Sequence, residues 1–273
     1  MSDVRRFYDK HPINLAQIQR DMRETLGGDE DWTPDQLCRF DNDHYGGVHA
    51  VDALIEAAGL GPQDRVLDIG CGVGGPLRRV AHRTGCRGVG LDLTPSRIDA
   101  ARRLTAAVGL QDRLTFVEGD AVDSPLPDAQ FTAVIGQEAW CHIPDKAALL
   151  REAHRMLEPD GRIAFTDIVT RDDLRENVRA RLREEMCLNA LASRADYERY
   201  LAEAGFEPIL VEDLSAAWTE LLRVRLKMYE GLAERDDGGV ADHGRYLPAY
   251  RFFVGLFVDG ALGGVRIAAT RRP

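Results

Sequence analysis

The chain contains no apolar run approaching the roughly 18 residues of a membrane-spanning helix. Its first segment, Met1 to Asp21, is charged and lacks the apolar stretch of a signal peptide. No two cysteines stand in CxxC spacing. Cys38, Cys71, Cys86, Cys141 and Cys187 are odd in number and scattered, which argues against a disulfide framework or a zinc site. Free thiols in a reducing cytoplasm are expected. Positive charge is in deficit: 35 Lys and Arg face 45 Asp and Glu, for a net charge of -10. Phosphate backbones are bound by clustered cations, so neither nucleic acid nor membrane is an expected partner. Internal repeats and low-complexity tracts are also missing.

What remains is a chain of 273 residues, 44% hydrophobic and 29% charged. That suffices to bury a sizeable core as one large α/β domain with additions, or two modest domains. Leu15, Ile18, Met22 and Leu26 repeat at helical spacing, and 27–31 breaks the pattern. A helix fits 48–58, ended by Gly59. Short apolar strands follow at 65–69, 88–91, 114–118, 131–136 and 162–168, with helical patterns at 76–84, 96–108 and 146–157 between them. This alternation predicts a doubly wound, mostly parallel sheet with right-handed crossovers. The rhythm then breaks. Helices are expected at 172–191, 196–204, 217–232 and 246–258, and strands at 208–212 and 265–270. The extra helices read either as a cap over the ligand edge of the sheet or as a thickening of the core.

The central signal is the run Val66-Leu67-Asp68-Ile69-Gly70-Cys71-Gly72-Val73-Gly74-Gly75, a strand entering a glycine-rich turn and then a helix. Gly70, Gly72 and Gly75 also satisfy G-x-G-x-x-G, which admits an NAD-linked oxidoreductase. Asp68 argues against that reading, because a carboxylate is ill placed beside a pyrophosphate and suits a ligand bearing an ammonium group. Asp92, followed by Leu93 at the end of the second strand, can accept two ribose hydroxyls and fits either adenosine ligand.

The run Asp68-Ile69-Gly70-Cys71-Gly72-Val73-Gly74 resembles the first motif of class I S-adenosylmethionine-dependent methyltransferases. Gly119-Asp120-Ala121 resembles their adenine-contact motif, and Leu157-Glu158-Pro159-Asp160-Gly161-Arg162 their L-x-P-G-G turn, with Asp160 where glycine is usual. The resemblance is close over about residues 48–170, and the 265–270 strand fits the family's antiparallel seventh strand. It implies a seven-stranded Rossmann-like sheet with an antiparallel last strand and a helical cap. The implied organisation is an N-terminal lid or cap segment (1–47), a cofactor-binding domain (48–213 and 264–273) and cap insertions (170–205 and 214–263). Asp43-His44-Tyr45-Gly46-Gly47, the run from Gln137 to Lys146 and the long insertion resemble small-molecule methyltransferases acting on sarcosine, dimethylglycine and natural products.

The implied activity is methyl transfer from S-adenosylmethionine to a small-molecule acceptor, an amine or a specialised metabolite, by in-line displacement. S-adenosylhomocysteine is the co-product. The protein's share is to position reactants and orient dipoles. Fold and cofactor leave nitrogen, oxygen and carbon acceptors open, and a cofactor-binding member such as a cyclase stays an alternative. The expected cofactor residues are Tyr45, Asp68, Gly70, Cys71, Gly72, Gly74, Asp92, Leu93, Arg97, Asp120, Ala121, Gln137 and His142. His142 is the candidate general base, with a cofactor-contacting or packing histidine as the alternative. Trp140 can face the sulfonium or a cationic acceptor, or simply pack; Glu138 can bind a cationic group or cap the loop. Trp218 and Met186 fall on the expected cap helices. No metal is expected, because Gly136 and Gln137 stand where metal-dependent methyltransferases carry acidic residues. The insertion helices admit either a lid or a homodimer face.

Overall fold

The computed structural model describes residues 3–9, 14–28, 32–42, 44–234 and 243–272. Asp43, part of the family-like lead-in, lies outside them. The chain opens with three helices, α1 (Asp3–Asp9), α2 (Leu15–Leu26) and α3 (Pro34–Leu37). The alternating part runs α4 (Gly47–Ala58), β1 (Arg65–Ile69), α5 (Gly75–Thr84), β2 (Arg87–Asp92), α6 (Pro95–Ala107), β3 (Leu114–Glu118) and β4 (Phe131–Gln137). After a 3-10 turn at Trp140–His142 come α7 (Lys146–Met156), β5 (Leu157–Thr170), α8 (Glu176–Met186), β6 (Ala192–Ser193), α9 (Arg194–Glu203) and β7 (Leu210–Asp213). Helices α10 (Ser215–Glu234) and α11 (His243–Val258) precede β8 (Leu262–Thr270).

Seven strands form one sheet in the order β3-β2-β1-β4-β5-β8-β7, with the two-residue β6 beside β5. Pairing is parallel from β3 to β5, whereas β8 runs antiparallel to both β5 and β7. The order reverses direction at β1 and β4, so their carboxyl ends open a crevice at the switch point. The strand runs are apolar on both sides because both faces are covered. Val66, Ala133 and Ile135 pack with Val51, Leu54, Leu77 and Ile98, while Leu67, Val134 and Phe165 pack with Leu149, Leu150, Tyr197 and Leu201. A third cluster, with Ile168, Leu182, Trp218, Leu222, Phe253 and Phe257, joins α8, α10 and α11 over the end of β5. Among the described residues no helix is long and apolar enough to cross a membrane.

Two elements differ from expectation in ways that bear on the site. The helix expected over 172–191 is only α8, Glu176–Met186. Cys187 stops it in the left-handed region (φ 55), and Leu188 donates its amide to the Leu182 carbonyl at 3.2 Å. That is a helix-ending motif normally announced by glycine, so the stop was silent in the sequence. The strand expected over 208–212 is β7, shifted to Leu210–Asp213. Asp160, in the departure from L-x-P-G-G, adopts φ 60, a conformation aspartate tolerates better than most side chains. The turn therefore survives without its glycine.

A buried ion pair ties the N-terminal segment to the sheet. The Arg78 guanidinium meets the Asp41 carboxylate at 2.7 Å, both side chains being at most 3% exposed. It also donates to the Val73 carbonyl at 2.7 Å and to the Thr105 hydroxyl at 3.0 Å. All five cysteines are free thiols, and all but Cys38 are buried.

Candidate active site

The turn after β1 is held from below. Gly70 and Cys71 donate their amides to the Leu91 carbonyl, at 2.8 and 3.1 Å. The Asp92 carboxylate accepts the Gly72 amide at 2.9 Å and the Thr94 amide at 2.8 Å, one on each oxygen. Each oxygen keeps a further lone pair, the capacity a ribose diol would use. Gly70 has φ 79, and a Cβ there would lie 2.5 Å from that of Ala139. A Cβ on Gly75 would lie 2.2 Å from the Asp41 carbonyl oxygen. This glycine, the third of the dinucleotide-like spacing, is therefore required by packing of the chain on itself.

Asp68 is 1% exposed, and its Oδ2 has no hydrogen-bond partner. Burial, and then the nearby Asp92 carboxylate, push its pKa up to about 7. Burial raises Asp92 above the ordinary carboxylate range too, although the Thr94 and Gly72 amides oppose this. The Gln137 amide (both polar atoms) and the Thr94 hydroxyl are likewise buried without partners. Buried polar atoms are nearly always satisfied, so this cluster calls for a polar ligand or water. Two carboxylates raised by burial suit a cationic ligand, as S-adenosylmethionine is. The residues present therefore fit the cofactor that the sequence implied.

The expected residues do not all behave alike. Gly70, Cys71, Gly72, Gly74, Asp92 and Leu93 gather at the β1 and β2 ends. Asp120 is exposed and accepts the Val122 amide at 3.1 Å, while Ala121 packs at the edge of the core. Arg97, expected beside an adenine, is 6% exposed; it donates to the Tyr8 carbonyl at 3.0 Å and lies 5.1 Å over the Tyr8 ring. Trp140 is packing: it is fully buried, donates to the Ile69 carbonyl at 3.1 Å and stacks on Phe165.

His142 lies on the 3-10 turn after β4. Its Nδ1 is 2.8 Å from the Cys187 carbonyl oxygen, and its Nε2 is 2.8 Å from the Tyr8 hydroxyl. A carbonyl only accepts, so Nδ1 carries the hydrogen, and in the neutral ring Nε2 is the lone-pair nitrogen that the Tyr8 hydroxyl donates to. Burial holds the Tyr8 phenol well above its usual range.

Tyr8 was not singled out in the sequence. It belongs to α1, which lies across the β2–α6 turn: Arg5 donates to the Leu93 carbonyl at 2.9 Å, and the Ser96 hydroxyl to Asp9 at 2.7 Å. The adjacent aromatics Phe7 and Tyr8 in a charged segment were the only available signal. On the opposite side, both oxygens of Glu138 accept the Tyr45 amide, at 2.9 and 3.1 Å. Glu138 itself sits at φ 53, a strained conformation of the kind found at functional sites. The Tyr45 ring packs 4.7 Å from Trp218, with Arg225 5.5 Å above it. Burial, then Arg225, lower His44 to about 4, so it is neutral beside Glu138. Met186 is partly buried against the cap cluster that holds Trp218. Among the described residues no group of three or more His, Cys, Asp or Glu is placed to hold a metal ion.

The switch-point crevice, the glycine turn and paired carboxylates at the ends of β1 and β2 define an α/β protein built for an adenosine cofactor. Comparison with known proteins carries this further. The methyltransferase domain model matches residues 67–165. The chain is 34% identical over 191 residues to the 27-O-demethylrifamycin SV methyltransferase of Amycolatopsis mediterranei, covering 67% of this chain and 69% of that one. It is 34% identical over 154 residues to a sarcosine/dimethylglycine N-methyltransferase of Halorhodospira halochloris, covering 56% of this chain and only 55% of that one. A solved phosphoethanolamine N-methyltransferase 2 of Haemonchus contortus, in complex with phosphomonomethylethanolamine and S-adenosylhomocysteine, superposes on all of this chain and 61% of its own length. Its TM-score is 0.78 at 21% identity, a likeness of fold. The chain belongs to the S-adenosylmethionine-dependent methyltransferase family. The dinucleotide reading of the glycine spacing is set aside with that result.

Proposed function

We propose that the protein methylates a small molecule, an amine or a specialised metabolite at nitrogen, oxygen or carbon, and that His142 receives the proton the acceptor gives up. The observation that carries this reading is the fixed imidazole. With Nδ1–H committed to the Cys187 carbonyl, Nε2 is the basic atom, and the Tyr8 hydroxyl is already in contact with it. The bound cofactor supplies a methyl group on a cationic sulfur. Asp68 would meet its ammonium group, Asp92 its ribose and Gln137 a further polar group. Asp120, Ala121, Leu93 and Arg97 would border its adenine side.

As the acceptor bonded to the methyl carbon and the sulfur–carbon bond broke to release neutral S-adenosylhomocysteine, the acceptor's proton would pass to Nε2, directly or by a relay in which the Tyr8 hydroxyl gives its proton to Nε2 and takes the acceptor's. A small acceptor is favoured because α1 flanks the crevice on one side and α8, α10 and α11 pack over the other. The N-terminal segment is read as the lid, and Tyr45, Glu138 and Trp218 as the acceptor-side wall. Relatives named for amine and hydroxyl acceptors support this range.

The test is methyl transfer from isotopically labelled cofactor to panels of amines and hydroxylated metabolites, with His142→Ala as control. Turnover should fall about a hundredfold in the variant, with cofactor affinity kept. A loss under tenfold would remove the proton-transfer role. Turnover in excess chelator should be unchanged; full loss restored by magnesium would require a metal that this reading omits.

A further inference from the structure

Lys146 is buried, at 4% exposure, as the first residue of α7. A cation there opposes the helix dipole, which favours negative charge at an N-terminus. A buried ammonium also carries a desolvation cost. Helix stability therefore does not account for it, and its contacts do. The ammonium donates to three carbonyls, those of Trp140 at 2.6 Å, Ile143 at 2.8 Å and Ala190 at 2.7 Å. All three of its N–H groups are used.

Those carbonyls are not a random set. Trp140 and Ile143 bracket His142 on its turn. Ala190 lies three residues after Cys187, whose carbonyl receives the imidazole Nδ1–H. Cys187 is held in the left-handed region, and this conformation sets the direction of that carbonyl. One charge thus joins the turn that carries the imidazole to the segment that fixes its tautomer. Two further contacts cross the same seam: Asn189 Nδ2 donates to the His142 carbonyl at 3.2 Å, and the Ala190 amide to that of Cys141 at 3.3 Å. Behind it, the wholly buried Asp167 accepts the Cys141 amide at 3.0 Å and the Tyr197 hydroxyl. Burial lowers the Lys146 ammonium, and the charge of Asp167 opposes that and helps keep it protonated.

We propose that Lys146 is a positioning residue for His142. It locks the 140–143 turn to the 187–190 segment, so that the imidazole keeps Nδ1–H toward Cys187 and Nε2 toward the reaction crevice. The consequence for turnover rests on His142 acting as the proton acceptor; the positioning itself does not.

The experiment is nitrogen NMR of the full chain, saturated with S-adenosylhomocysteine and labelled at histidine. The His142 resonances are assigned by their loss in His142→Ala. The wild type should show one neutral tautomer with hydrogen on Nδ1. Lys146→Met, which keeps length and loses all three donors, should show mixed tautomers. Its turnover should drop by about tenfold to a hundredfold, with cofactor affinity within about twofold. Lys146→Arg, which keeps the charge in a planar group, should fall between the two. Mixed tautomers with turnover unchanged would uphold the positioning role and remove the proton-acceptor reading of His142. A His142 tautomer unchanged in a folded Lys146→Met overturns the proposal, whatever happens to turnover. If that variant does not fold, an Nε2–H tautomer in the wild type overturns it, and an Nδ1–H tautomer that loosens in Lys146→Arg upholds it.

Discussion

Arg97 holds Tyr8 twice, by a hydrogen bond to its carbonyl at 3.0 Å and by a guanidinium lying 5.1 Å over its ring. The arginine is on α6 and the tyrosine on α1, so the contact fastens the N-terminal helix over the turn that follows β2. A hydrogen bond and a cation–π contact of this kind together contribute about 1–2 kcal/mol. Arg97→Ala should therefore speed S-adenosylhomocysteine release about tenfold in stopped-flow measurements and raise proteolytic cleavage near α1. Unchanged release would mean that α1 does not gate the crevice.

With Asp68 as the partner of the cofactor's ammonium group, cofactor binding should depend on pH. Its carboxyl titrates near 7 in the free protein, and a bound ammonium favours the ionised form. Affinity should then be full above pH 7 and weaken by up to tenfold per pH unit below it. Calorimetry in buffers of different ionisation enthalpy should register proton release on binding at pH 6.5. Asp68→Asn should bind weakly and with a flat profile. A wild-type affinity constant from pH 5.5 to 8 would mean that another group meets the ammonium.

The Arg78–Asp41 pair is buried on both sides, and removing one partner strands the other. Arg78→Met should cost about 3–5 kcal/mol in chemical denaturation, whereas an exposed pair such as Arg103–Asp99 should cost under about 1 kcal/mol when broken. Because Asp41 also packs its carbonyl against Gly75, the Arg78 variant should lose cofactor affinity along with stability. A loss under about 1 kcal/mol would mean that water reaches the pair.

The sheet and the glycine turn were legible because their signals are local. Val66-Leu67, Ala133-Val134-Ile135 and the glycines after β1 each declare an element by composition within a few residues. The contacts that assemble the site are distant in sequence. Tyr8 and His142 lie 134 residues apart, and Arg78 and Asp41 lie 37 apart. Nothing in the composition of α1 shows where it docks. The end of α8 was hidden because Cys187, not a glycine, takes the left-handed turn. Lys146 stood inside a motif recognised as a whole, and only its three carbonyl contacts separate it from the surface lysine its type suggests.

The way α1 is fastened has a kinetic consequence. Its direct bonds to the α/β body include Arg5 to the Leu93 carbonyl, Ser96 to Asp9, and Arg97 to the Tyr8 carbonyl. At about 1 kcal/mol net each, these three alone would hold the detached state to somewhat under about 1%, and the Tyr8–His142 hydrogen bond and the Arg5–Glu118 ion pair lower it further. Local openings of packed segments span microseconds to seconds, a range that brackets a typical turnover of about a tenth of a second. With the N-terminal segment as the lid, reactants would meet a barrier shut at almost every instant, and its small open fraction would set how fast product leaves.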